Sequence, residues 1–212
     1  MTIYTQLKNL HTNALNYLTE LFNEIFKSSE FPSKWKTAIV IPILKPKSDQ
    51  FNPQSYRPIS LTSVLGKTFE KIINKRLTWY LESNNIITKY QYGFRKSRST
   101  EHAILDLHSE IKHAFASKSC LHSIFFDLEK AYDRVWRYHI CQMLFKYGLR
   151  GHLPYILQSF LKNRSLTVRL GGHLSTQRNI ENGVPQGSVL SVSLFLIAIN
   201  EISSQVHFPI TQ

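Results

Sequence analysis

Leu15, Leu18, Leu21, Phe22, Ile25 and Phe26 recur at three- and four-residue spacing, which puts them on one face of a helix ending near Ser28 to Phe31. Phe31-Pro32 stops it. Ala38 to Leu44 is an apolar, β-branched run that reads as a strand, with Pro42 placing it at a sheet edge or forcing a bulge. Lys45 to Pro53 is a loop by its Pro, Ser, Asn and Asp content, and the strand holding Tyr56-Arg-Pro-Ile-Ser-Leu returns beside the first. From Gly66 to Asn84 the stripe Phe69, Ile72, Ile73, Leu77, Tyr80 and Leu81 predicts an amphipathic helix. Thr100 reads as the N-cap of another, in which Ile104, Leu107, Ile111 and Phe115 form the apolar face as far as Ser117.

Leu121 to Asp127 is a buried-strand candidate. Helical spacing resumes from Lys130 to Tyr147, with Gly148 placed for a left-handed C-terminal residue, and a short helix follows over Pro154 to Lys162. Leu166 to Leu170 alternates, Gly171-Gly172 suits a two-residue hairpin turn, and the returning strand runs to about Ile180. Ser188 to Ile202 reads as a largely buried helix. No internal repeat, low-complexity tract or linker interrupts the pattern, so one continuous α/β unit is expected.

Composition narrows the class of function. Hydrophobic residues make up 42% and charged residues 19% of 212 positions, enough to bury a core. Twenty-six Lys and Arg against fourteen Asp and Glu leave a formal charge of +12, a surplus that favours a polyanionic partner, nucleic acid first among them. Cys120 and Cys141 lack metal-binding spacing and read as buried, reduced thiols. The N-terminus has no signal-peptide pattern and no apolar stretch is long enough to span a bilayer, so nuclear or cytoplasmic residence is expected.

Three segments could carry chemistry. Asp127 closes the apolar run Ile124-Phe-Phe-Asp-Leu-Glu-Lys-Ala-Tyr-Asp-Arg-Val135, where a carboxylate is well placed to hold a hard cation such as Mg²⁺, and equally well placed to cap the following helix. Gly183-Val-Pro-Gln-Gly-Ser offers glycines for close backbone approach and the Gln186 amide; it also suits a tight turn with Ser188 as N-cap. Tyr90-Gln-Tyr-Gly-Phe-Arg-Lys-Ser-Arg interleaves aromatic rings with Arg95, Lys96 and Arg98, as stacking on a single strand or heteroduplex requires, or as a basic loop anchored by its aromatics would. Lys45 and Arg57 flank the first strand pair and could grip phosphates.

Taken in order, Lys45 to Leu61, Gln91-Tyr-Gly-Phe-Arg95, Phe126 to Val135 and Gly183 to Leu190 resemble the reverse transcriptase of non-LTR retrotransposons of the Jockey and LINE-like type, over about residues 15 to 203. The resemblance implies an α/β (α+β) right-hand polymerase fold without a thumb. Residues 1–34 would be an N-terminal helical extension, 35–120 mostly fingers and 121–212 an incomplete palm. It implies RNA-directed DNA synthesis on an RNA template and DNA primer, with dNTPs and Mg²⁺. Asp127 and the Leu128 carbonyl would bind metal. Lys45, Arg57, Tyr132, Gln186 and Gly187 would bind the nucleotide, Tyr132 excluding a ribose 2′-OH. Arg95, Lys96 and Arg98 would contact nucleic acid.

Two departures from the family pattern stand out. Val192-Ser193 replaces a Pro and an aliphatic residue, which is expected to loosen the start of the last helix. The four aspartates Asp49, Asp106, Asp127 and Asp133 include no adjacent pair, and the family's Ala-Asp-Asp hairpin is expected about where the sequence stops, at His207 to Gln212. Glu129 and Asp133 follow Asp127 on one local segment, whereas two-metal chemistry needs carboxylates converging from separate strands. The expectation is a chain truncated before that hairpin, which does not polymerise alone; the alternative is a non-catalytic remnant that binds RNA or RNA–DNA hybrid.

Overall fold

The computed structural model describes residues 7 and 9–205; His207 to Gln212 lie outside them. Helix α1 (Thr12–Ser28) ends on Ser29 in the left-handed region, and its apolar face delivers Phe22 and Ile25 to the core. Phe31 and Trp35 then pack edge-on, at 5.7 Å between centroids, and tie the exit of α1 to Phe69.

Strands β1 (Thr37–Leu44) and β2 (Tyr56–Leu61) pair antiparallel, with Pro42 opposite Pro58. On its other side β1 runs parallel to β3 (Arg164–Leu170), but only over Thr37–Val40. The first half of β1 is therefore central. Its second half has one neighbour, which is where a residue without an N–H is tolerated.

The hairpin from β3 turns at Gly171-Gly172 into β4 (His173–Leu174), as the sequence predicts. The returning strand is broken, however. Ser175 takes over the ladder, its N–H donating to the Val168 carbonyl and its Oγ accepting from the Val168 N–H, both at 2.9 Å, before β5 (Arg178–Ile180) rejoins the start of β3. The resulting sheet is mixed.

The core is mostly helix on helix. Helix α2 (Val64–Ser83) contributes Phe69, Ile73, Leu77 and Leu81, and packs on α7 (Val189–Ile199), which contributes Leu190, Leu194 and Ile197. Helices α5 (Arg137–Lys146) and α6 (His152–Leu161) close it with Ile140, Leu144, Leu157 and Phe160. Gly148 ends α5 with φ +81°, the conformation anticipated for it.

Five expectations are corrected. Residues 119–128 form no strand, and Ile124, Phe125 and Phe126 are 76, 82 and 88% exposed, because no strand among the described residues offers them a ladder. Helix α3 (Thr100–Ala116) forms, but Ser99 is its N-cap residue and its apolar face is largely uncovered, with Ile104 and Phe115 exposed. The predicted helix Lys130–Tyr147 breaks at Val135-Trp136 into α4 (Ala131–Arg134) and α5. Helix α7 is not loosened at Val192-Ser193, since Ser193 Oγ donates to Asn74 Oδ1 at 2.7 Å and Ser191 Oγ to the Pro185 carbonyl at 2.9 Å. Cys120 is exposed rather than buried, because its segment is uncovered; Cys141 is half-buried and both are free thiols.

Candidate functional site

The turn Asn182 to Ser188 joins β5 to α7, and three neighbours fix it. Arg137 aims its fork at the turn backbone: Nε donates to the Gly183 carbonyl at 2.7 Å, Nη1 to Ile180 at 2.7 Å and Nη2 to Asn182 at 3.0 Å. Desolvation lowers the pKa of this half-buried guanidinium. From α4 and its exit, the Tyr132 carbonyl accepts from the Val184 N–H at 2.7 Å and the Val135 carbonyl from the Gly183 N–H at 2.8 Å. From β2, the Ser60 N–H donates to the Gln186 carbonyl at 2.8 Å. Gly187, at φ +108°, lies so near the same strand that a Cβ would come within 2.9 Å of the Ser60 carbonyl oxygen.

These clamps bring together residues 132 and 186, which the sequence separates by more than fifty positions. Tyr132, Gln186, Gly187, Ser188, Val189 and Val192 line one open cleft of about 290 Å³. Tyr132 stacks on Phe195 of α7, with centroids 5.1 Å apart and planes 21° apart. Burial pushes the Tyr132 phenol above its ordinary pKa. The Gln186 amide Nε2 donates to both carboxylate oxygens of Asp133, at 3.3 and 3.4 Å. The cleft thus offers an aromatic wall, an apolar floor and an amide next to a carboxylate.

The remaining predicted residues lie elsewhere. Asp127 and Leu128 belong to the exposed irregular segment and do not line the cleft. Among the described residues no three His, Cys, Asp or Glu side chains come together to hold a metal. One carboxylate on an uncovered segment does not fit a two-ion centre, so no chemical step is assigned to a metal here. Glu129 pairs with Arg134 at 3.4 Å instead. Lys45 and Arg57 are exposed at the end of the β1–β2 pair closed by the 45–55 connection; the Lys45 ammonium donates to the Gln54 carbonyl at 3.0 Å.

In the basic loop the three cations differ. Arg95 is largely taken up within the protein, Nε and Nη2 gripping the Glu82 carboxylate at 2.8 and 2.5 Å while Nη1 reaches the Thr88 carbonyl at 2.8 Å. This bond holds the Glu82 pKa below the usual carboxylate range. Arg98 lies over the Tyr92 ring at 5.4 Å and Lys89 over Tyr90 at 5.0 Å, while Lys96 is exposed. The Tyr92 hydroxyl donates to Asp106, which raises the phenol pKa.

Arg137, Ser60 and Glu70, whose Oε2 accepts from the Ser188 hydroxyl at the end of the turn and from the Val189 N–H at 2.8 Å, hold the turn, yet none stands out among the motifs. Arg137 and Ser60 leave no signal, since one charge or one strand residue is ordinary. Glu70 leaves one: it shares the face of Ile73 and Leu77 on α2, and a carboxylate in an apolar stripe needs a partner.

The sequence matches the family described as reverse transcriptase (RNA-dependent DNA polymerase) over residues 43–209. A probable RNA-directed DNA polymerase from transposon X-element of Drosophila melanogaster is 37% identical over 191 residues, 90% of this chain and 21% of the relative. Its counterpart from transposon BS of the same species is 36% identical over 193 residues, again 90% of the chain and 21% of the relative. The RNA-directed DNA polymerase from mobile element jockey of Drosophila funebris is 35% identical over 199 residues, 94% of the chain and 22% of the relative. The chain thus spans about a fifth of the length of these relatives. With the family matched across most of its length and its turn-and-cleft motifs gathered into one site, the chain belongs to the reverse transcriptase family, as a reverse transcriptase domain of the non-LTR retrotransposon type.

Proposed function

We propose that this chain contributes the nucleotide pocket and part of the template-holding surface for RNA-directed DNA synthesis, with residues 35–120 acting as mostly fingers and 121–212 as palm. The observation that carries this reading is the single cleft shared by Tyr132, Gln186, Gly187 and Val192. A flat, neutral aromatic beside an amide suits a nucleotide sugar and base edge, and the bulk of Tyr132 would exclude a 2′-OH. Lys45 and Arg57 would reach the triphosphate from the exposed β1–β2 end. Asp127 would supply one Mg²⁺ ligand, and because a two-ion centre needs further carboxylates, the chain by itself would not extend a primer.

Calorimetric titration of the purified chain with dGTP and Mg²⁺ tests the pocket. Binding weakened about tenfold by Gln186→Ala, the loss of one or two hydrogen bonds to the nucleotide, is expected; a wild-type chain that takes up no dGTP at millimolar concentration overturns it. Primer extension on an RNA template tests the second part, where incorporation above an Asp127→Ala control would refute inactivity of the isolated chain.

A second reading, retention of RNA or RNA–DNA hybrid without chemistry, is favoured by the charge of +12 together with the Lys89–Tyr90 and Arg98–Tyr92 pairs on the basic loop. Salt-dependent retention of a hybrid oligonucleotide supports it, and no binding at low salt removes it.

A further inference from the structure

We infer that Glu70 is a positioning residue for the nucleotide pocket, acting through the N-terminus of α7; the inference rests on the pocket reading above. Glu70 is 1% exposed, and its Oε2 accepts from three donors: the Ser188 hydroxyl, the Val189 N–H at 2.8 Å and the Leu190 N–H at 3.3 Å. The two amides belong to the first turn of α7, where a helix has no carbonyl of its own to offer. Ser188 occupies the N-cap position with extended backbone (φ −84°, ψ 147°), yet its side chain caps no amide of the helix. It donates its proton to Glu70 instead. A carboxylate from another helix therefore performs the cap, at the end of α7 where the helix dipole favours negative charge.

Two further features make this cap more than local stabilisation. The first is a buried countercharge: Arg164 is 1% exposed, donates from Nη1 to the Phe160 carbonyl at 3.0 Å and leaves Nη2 without a hydrogen-bond partner. Burial lowers the Arg164 pKa to about 10, and the field of Glu70 opposes that fall. The second is what α7 carries. Gln186 and Gly187 immediately precede the capped turn, Val192 lines the cleft, and Phe195 lies under the Tyr132 ring. A shift of α7 along its axis would move the cleft floor, the support of the aromatic wall and the amide together. Glu70 is thus fixed to the register of the helix on which the pocket is built, without itself touching the nucleotide.

The test uses the purified chain with Glu70→Gln, Glu70→Ala and Ser188→Ala. Amide exchange is expected to accelerate about tenfold at Val189 and Leu190 in E70Q and about a hundredfold in E70A, as loss of one charged cap bond or of the whole acceptor predicts. Amides of α5 and α6 should change no more than the accompanying fall in global stability requires. Should E70A not fold, E70Q and S188A still decide the matter. Unchanged exchange at Val189 and Leu190 in E70Q, or uniform acceleration along the chain, would overturn the inference.

A second readout measures Kd for dGTP and for GTP with Mg²⁺. E70Q is expected to narrow the dGTP preference at least threefold, whereas a purely structural role would leave that ratio unchanged and refute positioning. If the wild-type chain binds neither nucleotide, the pocket reading fails, and the exchange data still decide whether Glu70 sets the α7 N-terminus.

Discussion

Gly183 lies so close to Asp133 that a Cβ on it would stand 2.5 Å from the Asp133 carbonyl oxygen, at a backbone φ of +76°. This contact joins the segment after Asp127 to the turn that holds Gln186. Its cause is steric: only a residue without a side chain lets the two backbones pass and tolerates the left-handed conformation.

Gly183→Ala should therefore destabilise the chain by about 3 kcal/mol or more, the sum of φ strain and overpacking. Gly187→Ala should act in the same direction through Ser60, while Gly172→Ala, with nothing within 4 Å of its Cβ and no positive φ, should change stability by about 0.5 kcal/mol or less. Urea denaturation of the three variants checks the order.

Arg137→Lys should fail to replace Arg137. A lysine carries one ammonium where the three carbonyls of Ile180, Asn182 and Gly183 are met by a planar fork. A loss of about 2 to 4 kcal/mol, with faster amide exchange at Gly183 and Val184, is the expected outcome.

Alkaline pH should weaken the fold through Tyr132 and Tyr147, whose phenol pKa values burial raises. A phenol held neutral by the folded state contributes stability that is fully present below its unfolded pKa near 10, and that is lost as pH rises from there through the folded value. Tyr132→Phe should flatten the fall above pH 10 by up to about one proton's worth of slope, read from urea midpoints between pH 8 and 11.5.

Arg95 and Lys96 are neighbours with different work to do. Arg95→Ala should lower stability by about 1 to 3 kcal/mol, because it strips the Glu82 carboxylate and the Thr88 carbonyl of their donor. Lys96→Ala should leave stability unchanged and reduce the salt slope of RNA or hybrid retention by about one. Thermal melts and filter binding at several salt concentrations separate the two.

Phe126 is 88% exposed beside Phe125 and Ile124, an apolar surface that promotes self-association. Phe126→Asp should raise the concentration at which the chain stays monodisperse without shifting the urea midpoint, since no buried contact is lost; light scattering with denaturation checks both.

How much of this was legible in the residues depends on how local each determinant is. The helices over Thr12–Ser28 and Val64–Ser83 follow from 3.6-residue periodicity, and the Gly171-Gly172 turn from backbone freedom, because those signals lie within a few neighbours. Motif order identifies a lineage and names Tyr132, Gln186 and Gly187 among its nucleotide residues, together with Lys45 and Arg57; that the first three line one cleft and the last two do not is a fact of the fold. The segment Leu121–Asp127 misled for a physical reason: an apolar β-branched run states a preference for a ladder, and a ladder needs a second strand that no local pattern can guarantee. The apolar face of α3 misled in the same way.

By itself, then, the sequence determined most of the helical core elements, the turn chemistry and the family, since each is written in short-range spacing or in ordered motifs. Only the tertiary structure decided that Arg137 and Ser60 hold the turn, that Arg95 faces inward to Glu82, and that Ser188 yields the cap of α7 to Glu70. Those are contacts between residues as much as 126 positions apart, as in Ser60 to Gln186, and which donor meets which acceptor is settled by packing, where a buried polar group must find a partner wherever the fold places one.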